Sequence, residues 1–189
     1  EICSYLERKI HVSYDPKHET LVTVGGSEAI DIGLRCMLDP GDEVLIPQPS
    51  YVSYLPCTIM ADGVPVIVPL QHENQFKLTV GDLEKYTTPR TKVLIMPFPN
   101  NPTGSIMTRE DLEPVAEFVK EHDLYVMSDE IYSELTYGSE HVSIASLPGM
   151  RERTIVINGF SKGFAMTGWR LGYCCGPAEI IEQMTKLHQ

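Results

Sequence analysis

The chain predicts an α/β protein of three layers, with a mainly parallel, seven-stranded sheet between two layers of helices. Three observations predict it. Seven short apolar runs are spread along the 189 residues. Most of them are continuous rather than alternating, which suits strands covered on both faces. Amphipathic segments of helical period separate them, and strand–helix alternation layers helices onto a sheet. The length suits a single domain, residues 1–189, with a sizeable core.

Residues 1–10 read as the end of a helix. The first strand is predicted at Leu21–Val24, and a helix opening at Ser27 would bury Ile30, Leu34, Met37 and Leu38. Asp39-Pro40-Gly41-Asp42 stops that helix as a turn. Strands follow at Glu43–Pro47, Val64–Val68 and Lys92–Met96. The clearest helix is Arg109–Glu121, where Leu112, Val115, Ala116 and Val119 share one face. Thr108 with Asp111 gives it a capping-box start. Strands at Leu124–Ser128, Thr154–Ile157 and Leu171–Cys175 complete the sheet, and Pro177 opens a last helix running to His188.

Composition excludes several classes. A formal net charge of -11 argues against nucleic acid or an anionic membrane as the main partner. No apolar run is long enough to span a bilayer, and no secretory leader is visible at the start. Five cysteines without a Cys-x-x-Cys spacing read as free thiols in a reducing cytoplasm. The six histidines show no metal-ligand spacing, so no metal is expected.

In sheets of this kind ligands bind beyond the carboxyl ends of the strands. There the chain places a set of chemically useful residues. Gly25-Gly26-Ser27-Glu28 leads from a strand into a helix, where a free N-terminus suits phosphate. It is neither a dinucleotide fingerprint nor a Walker motif. Pro47-Gln48-Pro49-Ser50-Tyr51 puts an aromatic ring at the same edge. Asn101 lies on a loop stiffened by Pro97, Pro99 and Pro102, and either addresses a heterocycle or caps its own turn. Asp129, at a strand tip, either caps the next turn or pairs with a protonated ring nitrogen, since a lone buried carboxylate is costly. Tyr132 adds a phenol to that tip. Lys162 follows a strand beside Ser161 and Gly163, with Arg170 eight residues on. It is either a solvated lysine or an amine nucleophile whose proton is loosened by desolvation and nearby cations.

Asn-Asn-Pro-Thr-Gly at Asn100–Gly104, Ser-Asp-Glu-Ile-Tyr at Ser128–Tyr132, and Ser-Lys-Gly-Phe with Gly-Trp-Arg-Leu-Gly at Ser161–Gly172 are specific in combination. On these motifs, and over Leu21–Gly176, the chain resembles the class I/II aminotransferases of the aspartate aminotransferase superfamily. Those are pyridoxal-phosphate (PLP) enzymes of fold type I. The resemblance implies the large, cofactor-binding domain and pyridoxal 5′-phosphate as cofactor. It implies that Lys162 forms the Schiff base and shuttles protons, and that Asp129 pairs with the pyridinium nitrogen. It further implies Asn101 and Tyr132 at the ring's 3′-oxygen, Tyr51 on the ring face, and Gly26, Ser27, Glu28, Ser161 and Arg170 at the phosphate. The activity implied is ping-pong transfer of an amino group between an amino acid and a 2-oxo acid.

Family members are considerably longer than this chain. The small domain built from both chain ends, and with it the arginine that grips the substrate carboxylate, has no counterpart here. A truncated large domain, inactive alone, is therefore expected, and the resemblance implies a homodimer. Tyr137, in the loop after Tyr132, is open to core, interface or surface, with interface preferred. Two alternatives remain: a PLP-dependent carbon–sulfur β-lyase, which would use the same Lys162 and Asp129, and the effector-binding domain of an aminotransferase-like transcription regulator, which would require an N-terminal helix-turn-helix domain.

Overall fold

In the computed structural model, which describes residues 1–189, seven strands form one sheet. The elements in order are α1 (Ile2–Ile10), β1 (Thr20–Thr23), α2 (Gly26–Met37), β2 (Glu43–Gln48), α3 (Tyr54–Met60) and β3 (Val64–Pro69). Then come α4 (Val80–Tyr86), β4 (Thr91–Met96), α5 (Arg109–Glu121), β5 (Tyr125–Asp129), β6 (Thr154–Gly159), β7 (Gly172–Cys175) and α6 (Ala178–His188). The strand order is β1-β7-β6-β5-β4-β2-β3. Every pairing among β2 to β6 is parallel, whereas β7 runs antiparallel to both β1 and β6. Because β7 alone is reversed, the residues before it sit at the same sheet edge as the residues after β1, β4, β5 and β6.

Alternate strand residues feed two cores, as the strand period of two requires. Val44, Ile46, Val93, Ile95, Met127 and Ile157 pack with α2, α3 and α6 on one face. Leu45, Leu94, Met96 and Val126 pack with α4 and α5 on the other. Leu6 and Ile10 of α1 cover Val156, Tyr173 and Cys175 on that second side. This is the three-layer α/β/α arrangement the sequence predicts.

The predicted strands all form, with ends shifted by a residue or two. One shift matters: β5 extends through Asp129, so this carboxylate is fixed by the sheet itself. The Thr108–Asp111 capping box is present on α5, and Thr79 with Asp82 repeats it on α4. Helices α3 and α4, of seven residues each, were not anticipated. No helix is long and apolar enough to cross a membrane. The five cysteines are unpaired, and no cluster of His, Cys, Asp and Glu suits a metal ion.

Candidate active site

The ends of β1, β5 and β6, with the loops after β2 and β4 and before β7, enclose one cavity of about 300 Å³. Gly26, Ser27, Tyr51, Asn101, Asp129, Tyr132, Ser161, Lys162 and Arg170 all line it. Nine of the ten residues picked from the sequence therefore meet in one place. Lys162 and Asp129 face the same space, the arrangement the sequence reading required.

Glu28 is the one that does not line it. Its carboxylate turns back to accept from the Val24 N–H, and it pairs with His188 Nδ1 at 2.9 Å. A carboxylate held this way supports the helix start, while Gly26 and Ser27 of the same turn line the cavity.

The first turn of α2 is built to receive negative charge. Gly25 precedes it without any side-chain cap, at φ +77°, a backbone conformation that favours glycine. The leading N–H groups thus stay free, and the helix dipole adds partial positive charge. Arg170 lies against this turn. A Cβ on Gly25 would sit 2.6 Å from its guanidinium Nη2. A Cβ on Gly172 would come within 2.3 Å of the Gly25 carbonyl carbon, so two glycines bring β7 and the helix start together. Arg170 itself adopts the left-handed conformation (φ 51°, ψ 47°) and donates from Nη1 to the Thr167 carbonyl at 3.2 Å.

Tyr51 shares a 3.4 Å hydrogen bond with Ser27. That bond, then one with Ser53, holds the Tyr51 phenol below its ordinary pKa. The Asn100–Asn101 pair divides its labour. Asn100 is the turn-former: its Oδ1 accepts from the Thr103 N–H at 3.2 Å, and its Nδ2 donates to the Pro49 carbonyl at 3.2 Å. That leaves Asn101 exposed at the cavity.

Asp129 is 7% exposed. Its Oδ1 accepts from the Ile131 N–H at 3.2 Å, so it does cap the next turn. Its Oδ2 accepts from the Tyr54 hydroxyl at 2.7 Å. No cation pairs with it. Burial therefore wins and raises its pKa, against the two hydrogen bonds. Sequence reasoning missed Tyr54; the one available signal was its place three residues beyond Tyr51, one helical turn on. Thr167 and the apolar Ile30 and Ile131 also line the cavity and were missed.

Lys162 is exposed, with Nζ 5.7 Å from the centre of the Tyr132 ring. Tyr132 stands on a turn that Asn158 of β6 holds through a 3.0 Å bond to Ser133. The Lys162 loop closes on itself where Met166 N–H donates to the Phe160 carbonyl at 3.1 Å.

A lysine, an unpaired buried carboxylate, an aromatic face and an anion cradle in one cavity fit a phosphorylated pyridine aldehyde. Fold and site together define an α/β domain of the PLP-dependent transferase type. A family model for aminotransferases of class I and II matches residues 1–189, and the chain belongs to that family. It is 52% identical over 186 residues to an aspartate aminotransferase of Pyrococcus abyssi, covering 98% of this chain and 48% of that protein. It is 52% identical over 176 residues to an aromatic-amino-acid aminotransferase of Thermococcus litoralis, covering 93% of this chain and 45% of that one. The solved aromatic aminotransferase of Pyrococcus horikoshii superposes with a TM-score of 0.97 at 50% identity, over 99% of this chain and 50% of that one. The chain thus spans about half the length of the curated relatives it matches. PLP is the cofactor of this family.

Proposed function

We propose that this chain is the large, cofactor-binding domain of an aminotransferase that moves an amino group between an amino acid and a 2-oxo acid. One observation carries the reading: Lys162, Asp129 and Arg170, from two separate parts of the sheet edge, line a single cavity. The β-lyase and regulator alternatives are not favoured, since the relatives that match are named as aminotransferases.

When bound, the cofactor draws electrons from the substrate Cα through a protonated pyridine ring. The residues of this chain divide the remaining work. Lys162 would hold the cofactor through its amine, and its Nζ would be the base for the proton at the substrate Cα. Asp129 favours a proton on the ring nitrogen, because a cationic partner is what its buried charge lacks. Tyr132 and Asn101 would offer hydrogen bonds to the ring oxygen, and Tyr51 would supply the aromatic face. The Gly26 and Ser27 N–H groups, the Ser161 hydroxyl and Arg170 would hold the phosphate, Arg170 as a planar cation suited to bidentate contact.

The same reading takes the full-length protein as a cytoplasmic homodimer. Tyr137, 86% exposed in the loop beyond Tyr132, is the residue offered to a second copy.

The test is a single half-reaction. Full-length protein loaded with PLP is mixed with an L-amino acid, without a 2-oxo acid. One 2-oxo acid and one pyridoxamine phosphate per site are expected. Ammonia with pyruvate, or no product from any amino acid, contradicts the reading.

A further inference from the structure

The Tyr54 hydroxyl has one hydrogen-bond partner, Oδ2 of Asp129. We propose that Tyr54 is a positioning residue for Asp129, holding its carboxylate ionised and in one orientation from the core side. This rests on the reading of Asp129 as the partner of a ring nitrogen.

Three observations converge on it. Tyr54 is the first residue of α3, is 2% exposed, and packs within the core under α2. Asp129 lines the cavity and Tyr54 does not, so the phenol approaches from behind. Asp129 has only two donors, and both are neutral. Of the two, the Tyr54 bond opposes the effect of burial more strongly than the Ile131 N–H. The phenol is also a one-way donor. Burial, then the Asp129 charge, pushes its own pKa well above the ordinary value, so its proton stays on oxygen.

The placement couples two parts of the site. The Tyr51 and Tyr54 rings meet edge to face, with centres 5.7 Å apart and planes at 82°. The ring that faces the cavity and the phenol that supports its carboxylate therefore ride on the same turn.

The experiment compares Tyr54→Phe with the unsubstituted full-length protein. Ligand-free protein labelled with ¹³C-aspartate is titrated, with Asp129→Asn identifying the signal. Loss of the phenol donor raises the Asp129 proton affinity about tenfold, as befits a hydrogen bond to a charged group. A 3-fluorotyrosine at position 54, a more acidic and stronger donor, moves the titration the other way. In the loaded protein, Tyr54→Phe weakens PLP binding about tenfold. It also shifts the pH profile of the bound cofactor's absorbance. In an Asp129→Asn background the same change costs less than about twofold. An unmoved carboxyl titration overturns the proposal, as does an equal loss of PLP affinity in both backgrounds. The ligand-free titration separates the two claims. A shift there, in a protein that takes up no PLP, keeps the role of Tyr54 and removes the proposed function.

Discussion

Two carboxylates are buried in the same sheet, at opposite ends of its strands, and their surroundings push them in opposite directions. Glu43 opens β2 at 3% exposure. Thr88 donates to it, Arg90 pairs with it at 2.8 Å, and Thr91 donates at 3.2 Å. The Thr88 hydrogen bond, with those of Arg90 and Thr91, overcomes burial and lowers its pKa. Asp129 closes β5 at 7% exposure with two neutral donors and no cation, and burial raises its pKa. Burial therefore does not mark the functional carboxylate. The missing counter-charge does, since an unpaired buried charge is costly to keep. Glu43 is finished as a structural element; Asp129 is left one cation short, on the wall of a cavity.

The contrast is broken most severely at Asp129. Asp129→Ala is expected to lower turnover of the full-length enzyme by about 10³-fold, the scale of a lost electrostatic stabiliser. Near-normal turnover would remove Asp129 from the reaction. Arg170→Ala removes a planar cation from the anion cradle and is expected to weaken PLP binding by about 10- to 100-fold. Equilibrium titration reads it, and an unchanged affinity would leave the α2 turn as the sole cradle.

Stability against pH sharpens the comparison further. The Glu43 carboxylate is depressed, so its contribution is present above its unfolded pKa of about 4.3 and is lost as pH falls through the lower folded value. The Asp129 carboxyl is raised, so its contribution is present below its unfolded pKa of about 3.9 and is lost as pH rises through the folded value. In ligand-free protein, Glu43→Gln should lower the urea midpoint at pH 7 and flatten its fall below about pH 4. Asp129→Asn should leave the midpoint at pH 7 unchanged or raise it. The same sign for both substitutions would contradict the assignment. The smallest effect concerns a helix end away from both groups. Thr108→Ala removes the capping box of α5 and should cost about 1 kcal/mol by denaturant titration, with PLP affinity unchanged.

Much of this was legible in the sequence because it is local. Each strand is a short apolar run, and Asp129, Lys162 and Arg170 sit at run ends, where the layered fold places ligands. Strand order was not legible: β1 pairs with β7 across most of the chain, and no local pattern encodes that partner or the reversal of β7. Helices α3 and α4 are only two turns long, too short for a period to stand out. Glu28 stands in the first turn of α2, but the direction of its carboxylate is set by Val24 and His188, partners that no local pattern names. Tyr54 is a buried aromatic in sequence and a carboxylate partner only in three dimensions.

The central claim is that the amine of Lys162 and the carboxylate of Asp129 address opposite ends of one PLP molecule. Borohydride reduction of the PLP-loaded protein, followed by peptide mapping, tests it most directly. A single phosphopyridoxyl label on the peptide carrying Lys162, absent from Lys162→Ala, is the expected result. A label on any other lysine, or none at saturating PLP, would contradict it.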